Sequence, residues 1–212
     1  MSYKAPIADI RFALEACADL WRVRKSYPDL DEDLLGAILD GAGALAAETL
    51  APINRSGDQA GVSLKDGVVT AAPGFREAYN AYKSGGWQGL AADPAYGGQG
   101  LPRAVALAVM ETVHSANMSF GLLPMLTLGA IEAIEHHGAA DQKKLYLEKL
   151  ISGEWSGTMN LTEPQAGSDL GVLTTKAVPQ ADGSYAITGQ KIFITWGEHD
   201  LAPNIIHLVL AR

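Results

Sequence analysis

The chain has 212 residues, 48% of them hydrophobic and 19% charged, with a formal net charge of −8. That length holds one large domain or two small ones, and the apolar fraction excludes a disordered tail or a collagen-like fibre. The single Cys excludes an internal disulfide framework and a Cys-based zinc ribbon, and the acidic balance argues against a nucleic-acid-binding face.

The start, Met1-Ser2-Tyr3-Lys4-Ala5-Pro6, has no apolar stretch behind a basic head, so no targeting segment is visible. The apolar stretches at 105–110 and 122–134 are interrupted by Gly, Pro, Thr or Glu. They fall short of the roughly 20 apolar residues of a bilayer span. A cytoplasmic, reducing location without membrane contact is the expectation.

In chain order, residues 9–21 read as a helix, with Ile10, Ala13, Leu14, Cys17, Leu20 and Trp21 at helical spacing. Cys17 then lies on the buried stripe as a small core hydrophobe rather than a reactive thiol. Asp31 reads as the N-cap of a second helix with its apolar face from Leu34 to Leu50, ended by Pro52. Gly36, Gly41 and Gly43 weaken it unless a neighbour packs close. Residues 54–74 are polar and Gly-rich, and Asp66-Gly67 between two short apolar runs predicts a hairpin. Pro73 opens a short helix with Phe75, Tyr79 and Tyr82 on one face, ended by Gly85-Gly86.

Residues 87–100 carry loop chemistry. Pro102 then fits the first turn of a helix over 103–114, and a second helix covers 120–136. Both are apolar on most sides and are expected to be buried. Gly138 is read as the residue just past the second helix, and Asp141 as the cap of an amphipathic helix ending near Leu150. From Trp155 the texture changes to short alternating segments at 155–161, 174–178, 185–188, 191–195 and 205–210, as in β-hairpins or a barrel. The last segment, Ile205 to Leu210, is strongly apolar and stops two residues before Arg212, which suggests a missing remainder or a needed partner.

The densest chemistry is the loop Thr162-Glu163-Pro164-Gln165-Ala166-Gly167-Ser168-Asp169. Gly167 could let the backbone approach a phosphate, and Ser168 offers a hydroxyl and an amide to an anion. The same residues also read as an ordinary capped turn. His136-His137 invites a metal reading, but adjacent helical residues point apart, and no His-Glu-x-x-His spacing is present. His114, His199 and His207 are isolated in sequence. Gly-x-Ser-x-Gly is absent, Tyr96-Gly97-Gly98-Gln99-Gly100 does not fit a dinucleotide fingerprint, and Lys143-Lys144 reads as a solvated helix face.

Five blocks in order resemble the acyl-CoA dehydrogenase family: Tyr96 to Leu101, Asp141-Gln142-Lys143-Lys144 with Tyr146-Leu147, Met159 to Asp169, Gly189 to Thr195, and Leu208 to Arg212. The spacing between the blocks fits as well, and the resemblance covers residues 85–212. Tyr3-Lys4-Ala5-Pro6, Ile10-Arg11-Phe12 and the long insert before Trp87 resemble the subfamily of 3-methylmercaptopropionyl-CoA dehydrogenases.

The resemblance implies an α+β fold. An all-helical N-terminal domain at 1–153 would precede the first strands of a middle β-barrel at 154–212, with a C-terminal helical domain absent from this chain. It implies oxidation of an acyl-CoA to the trans-2-enoyl-CoA. FAD takes the hydride, an electron-transfer flavoprotein takes the electrons, and the enzyme is a homo-oligomer. Met159, Leu161 and Thr162 would line the flavin. Gly167 and Ser168 would meet its pyrophosphate or the CoA portion of the substrate, Phe193 would pack on the ring, and Thr195 would bond near N5.

Leu122, Met125, Leu126 and Gly129 fall where the family builds its acyl pocket, though plain helix core explains them equally. Phe193 departs from the family's usual Trp. The family's base is a Glu in the missing domain, so no catalytic acid or base is assigned here. Glu163 and Asp169 read as loop supports, and the chain alone is expected to be inactive. Two alternatives are a flavin monooxygenase or nitroalkane-oxidase-type enzyme on the same fold, and a non-catalytic or split-subunit acyl-CoA- or flavin-binding chain.

Overall fold

A computed structural model describes residues 3–212, apart from the Arg24 side chain. Helix α1 (Ile7–Phe12) runs into a π turn (Ala13–Cys17), and Asp19, at φ +50°, breaks the rod before a 3₁₀ segment (Leu20–Ser26). The single helix expected over 9–21 is therefore corrected. A π turn takes more residues per revolution than an α-helix. The stripe through the buried Ile10 and Leu14 consequently misses Cys17, which is exposed rather than in the core.

Helix α2 (Glu32–Ala44) starts where expected, with Asp31 Oδ1 accepting from the Leu34 amide at 2.8 Å. Leu35, Ile38, Leu39 and Ala42 face the core. The glycines do have close neighbours: Cβ atoms at Gly36, Gly41 and Gly43 would meet Arg11, Trp87 and Ile7. Pro52 does not end the helical run. A π turn (Leu45–Leu50) leads into α3 (Ala51–Ala60), so the proline falls in the first turn of a new α segment, where its missing N–H does least harm.

Strands β1 (Ser63–Lys65) and β2 (Val68–Thr70) form the expected hairpin, with Asp66 and Gly67 both left-handed at φ +53° and +81°. Helix α4 (Phe75–Ser84) buries Phe75, Tyr79 and Tyr82. Asn117 separates α5 (Arg103–Ala116) from α6 (Met118–His137). Its Oδ1 caps the Phe120 amide at 3.1 Å, and its Nδ2 donates to the Leu50 carbonyl at 3.1 Å.

Burial of α5 and α6 is one-sided, since Leu107 and Met118 stay more than half exposed. Helix α7 (Ala140–Ile151) is capped by Gln142, whose Oε1 accepts from the Ala139 amide at 2.8 Å, and Asp141 sits inside the first turn. Gly138 is extended at φ −69° rather than left-handed. It is small because a Cβ would lie 2.6 Å from the Ile134 oxygen.

The stretches Glu32–Ala60 and Met118–His137 are long and apolar enough to cross a membrane, by length and composition. Only the second of these overlaps a run weighed above, 122–134; the first becomes long enough because the helix continues past Pro52. Core helices of soluble proteins pass the same test. Both stretches supply core residues here. One cluster joins Leu35, Leu39, Leu50, Tyr79, Tyr82 and Phe120, and a second joins Ile131, Ile134, Leu147, Leu150 and Ile151 between α6 and α7.

The last quarter adds β3 (Ser156–Asn160), β4 (Lys176–Pro179), β5 (Tyr185–Thr188) and β6 (Ile205–Val209). Strands β4 and β5 form an antiparallel hairpin. Strands β3 and β6 are parallel, with Met159 opposite Leu208, so the whole intervening segment is a crossover. Strand β3 lies tightly on α6: a Cβ on Gly157 would sit 2.5 Å from that of Ala130, and the Gly157 amide donates to Thr127 Oγ1 at 3.1 Å. The strand expected at 191–195 is irregular. Phe193 and Trp196 are left-handed at φ +57° and +52°, which no regular ladder accommodates.

Candidate cofactor-facing site

Side chains alternate along β3. Gly157 and Met159 face α6, where a Cβ on Gly129 would come to 4.0 Å from Met159 Cγ. Ser156 and Thr158 face the other way. Ser156 Oγ lies 2.9 Å from His199 Nε2, and Thr158 Oγ1 lies 2.7 Å from His207 Nδ1. His199 Nδ1 accepts from the Leu201 amide at 3.1 Å, so Nε2 carries the proton and donates to Ser156. Burial pushes the His199 pKa down, which keeps that neutral tautomer.

Past Asn160 the chain enters the loop singled out above. Glu163 and Ala166 exchange backbone bonds at 2.9 and 3.0 Å, closing a tight turn over Pro164 and Gln165. The Glu163 side chain is 1% exposed and forms the hub of the loop. Its Oε2 accepts from the Thr174 amide at 2.7 Å, the Thr174 hydroxyl at 3.0 Å and Gln165 Nε2 at 2.6 Å. Its Oε1 accepts from the Thr175 amide at 3.0 Å and Lys191 Nζ at 2.9 Å. The neighbouring Thr175 hydroxyl, the Thr174 amide, Lys191 and the Thr175 amide hold the Glu163 carboxyl well below the usual carboxylate range, against the effect of burial. Asp169 Oδ1 accepts from the Gly171 amide at 2.8 Å and caps the short turn Leu170–Val172.

The second segment is stitched to the first. Lys191 Nζ donates to the Leu161 carbonyl at 2.8 Å, and the Ile192 amide donates to the Thr162 carbonyl at 2.9 Å. Leu161 and Thr162 thereby adjoin the stretch that carries Phe193 and Thr195. Phe193 is 87% exposed, and Thr195 is exposed as well. A shallow cleft of about 390 Å³ brings Thr195, Ile194 and Trp196 together with Leu122 and Ser119 of α6.

Leu122, Met125, Leu126 and Gly129 form one stripe of α6 that stays partly or largely exposed, so it is not plain core. Met125 and Leu126 do not line that cleft. Gly167 and Ser168 lie exposed in the loop, and a Cβ at Gly167 would meet nothing within 4 Å. Among the described residues no three His, Cys, Asp or Glu side chains gather as a metal site, His136 and His137 included.

Sequence reasoning missed Lys191, Thr174, Thr175, His199 and Trp196. Trp196 Nε1 donates to the Ser119 carbonyl at 2.8 Å, and its ring lies 6.0 Å from Phe75 and 5.4 Å from His199. A single Lys beside the apolar Ile192-Phe193-Ile194 was the available signal, but its partner lies 28 residues back.

The family model described as "Acyl-CoA dehydrogenase, N-terminal domain" matches residues 36–154, and that described as "Acyl-CoA dehydrogenase, middle domain" matches residues 158–212. The chain belongs to the acyl-CoA dehydrogenase family. It is 50% identical over 214 residues to a 3-methylmercaptopropionyl-CoA dehydrogenase of Ruegeria pomeroyi, covering all of this chain and 36% of that protein. It is 36% identical over 220 residues to a butyryl-CoA dehydrogenase of Syntrophomonas wolfei, with the same coverage of each. The butyryl-CoA dehydrogenase structure from Megasphaera elsdenii superposes with a TM-score of 0.66 at 26% identity, over 79% of this chain and 42% of that one. The chain thus spans about a third of the length of the curated relatives it matches.

Proposed function

We propose that this chain supplies the helical domain and the flavin-facing loops of an FAD-dependent acyl-CoA dehydrogenase, one that desaturates an acyl-CoA at its α,β bond. The observation that carries the reading is the bond from Ile192 to the Thr162 carbonyl, which sets the two signature loops side by side. The donor set suits an uncharged aromatic ring with polar edges: the hydroxyls of Thr162, Ser168 and Thr195, an exposed aromatic at Phe193, and no cation among them. When bound there, FAD supplies the hydride acceptor.

Within that reading, the Thr162 and Thr195 hydroxyls bond the polar edge of the ring, and Phe193 forms an apolar wall that excludes water. Phe193 lacks the indole N–H of a Trp, so it offers contact without a donor. Met159 and Leu161 close the inner side, and Gly167 and Ser168 take the phosphates. Leu122, Met125 and Leu126 line the acyl chain, with Gly129 leaving room for it. Glu163 is not the base. A base must accept a proton, whereas this carboxylate is buried, ionised and already accepts from five donors.

The relative at 50% identity makes 3-methylmercaptopropionyl-CoA the substrate to try first. An electron-transfer flavoprotein as acceptor, a homo-oligomeric assembly and a cytoplasmic site complete the reading. The test is anaerobic bleaching of the flavin in the complete gene product on addition of 3-methylmercaptopropionyl-CoA or butyryl-CoA. Bleaching with appearance of the enoyl-CoA is expected. A flavin that stays oxidised with both, or turnover that consumes O₂ stoichiometrically, overturns it.

A further inference from the structure

The Glu163–Lys191 ion pair differs from its peers. Its side chains are 1% and 9% exposed, whereas the other ion pairs among the described residues leave a quarter or more of each side chain in water. A buried pair gains little stability over a well-packed apolar pair, because both charges must be desolvated. What it does supply is geometry. Lys191 Nζ reaches the Leu161 carbonyl and the Glu163 carboxylate at once, with the Ile192-to-Thr162 bond between them. Three consecutive residues of one loop are therefore pinned to two consecutive residues of the other. Glu163 extends the pin to Thr174 and Thr175, fixing where the first loop turns back. Both charges are engaged by loop partners, Glu163 enclosed and the Lys191 side chain nearly so, which suits a supporting role rather than ligand contact.

We propose that Lys191 and Glu163 are positioning residues for the flavin, setting the register between the loop of Thr162 and the loop of Phe193 and Thr195. This rests on the flavin reading above. A displacement of about 1 Å in a reacting constellation can cost on the order of a hundredfold in rate, and breaking the pin loosens both loops together.

The experiment uses the complete gene product with Lys191→Met, Lys191→Arg and Glu163→Asp. Three quantities are measured: the Kd of the apoprotein for FAD, the visible circular dichroism of the flavin at saturation, and the melting temperature of the apoprotein. Lys191→Met is expected to weaken FAD binding about tenfold, because loops no longer preorganised must be ordered on binding, and to alter the flavin dichroism. Lys191→Arg, which keeps the charge and can bond both partners, is expected to restore both. If Lys191→Met does not fold, Glu163→Asp carries the test. It keeps the charge but shortens the reach by one methylene, and altered flavin dichroism is expected. Wild-type affinity and dichroism in the variant that folds overturn the proposal. So does a melting temperature that falls while the saturated flavin signal stays that of the wild type. A wild-type protein that binds no FAD overturns the flavin reading itself, and the proposal with it.

Discussion

Gly157→Ala probes the contact that seats the β segment on the helices. The added Cβ would stand 2.5 Å from Ala130 Cβ and 3.4 Å from Thr127 Cα. Carbon atoms pack at about 3.5–4.0 Å, so β3 and α6 must separate by about 1 Å. Neither obstacle can rotate away, since one is a methyl fixed to the helix and the other is backbone. Separation also stretches the bond from the Gly157 amide to Thr127 Oγ1, now 3.1 Å. Overpacking of this kind costs about 1–3 kcal/mol. In a chain of this size each kcal/mol moves the melting temperature by about 2–4 °C, so a drop of about 2–12 °C is expected by differential scanning fluorimetry. Ala130→Gly removes the struck methyl at a helix cost of about 1 kcal/mol. The double variant should therefore be more stable than the sum of the singles by about 1 kcal/mol or more. Strict additivity, or an unchanged melting temperature for Gly157→Ala, refutes the argument.

Glu163 has a depressed folded-state pKa, so its bonds contribute fully above the unfolded carboxylate value of about 4.3 and are lost as pH falls toward the folded value. Urea midpoints at pH 7 and pH 3.5 should fall less for Glu163→Gln than for wild type, and equal falls would contradict this. Phe193→Gly should leave the apoprotein as stable or more stable, since the ring is 87% exposed and φ +57° suits glycine, while FAD binds more weakly. A melting temperature lowered by several degrees would count against it. Asn117→Ala removes the cap of α6 and the bond to Leu50, and should cost about 2–3 kcal/mol in urea denaturation. A loss under about 0.5 kcal/mol would show the cap to be replaceable by water.

Local chemistry was legible wherever neighbours in sequence are neighbours in space. Asp31 had to cap a helix, Asp66-Gly67 had to turn a hairpin, and Phe75, Tyr79 and Tyr82 had to share a face. Pro52 misled because its usual effect as a helix breaker was offset by a π turn just before it. Cys17 misled for the same reason: periodicity arguments assume an unbroken α register, and the π turn Ala13–Cys17 breaks it. The apolar run at 191–195 looked like a strand. Strand alternation says nothing of the left-handed residues that turn its backbone toward Thr162.

By itself the sequence determined the start of α2 at Asp31, the Asp66-Gly67 turn, the α+β order of the chain, the family resemblance and the loops that carry it, because each rests on residues within one short segment. Only the tertiary structure decided that Lys191 and Glu163 neutralise each other in the interior, that His199 holds Ser156, and that Trp196 closes on Ser119. Each of those bonds joins residues 28 to 77 positions apart. Burying a charge or an N–H is tolerable only where a partner is delivered to it, and chain topology makes that delivery, not local composition.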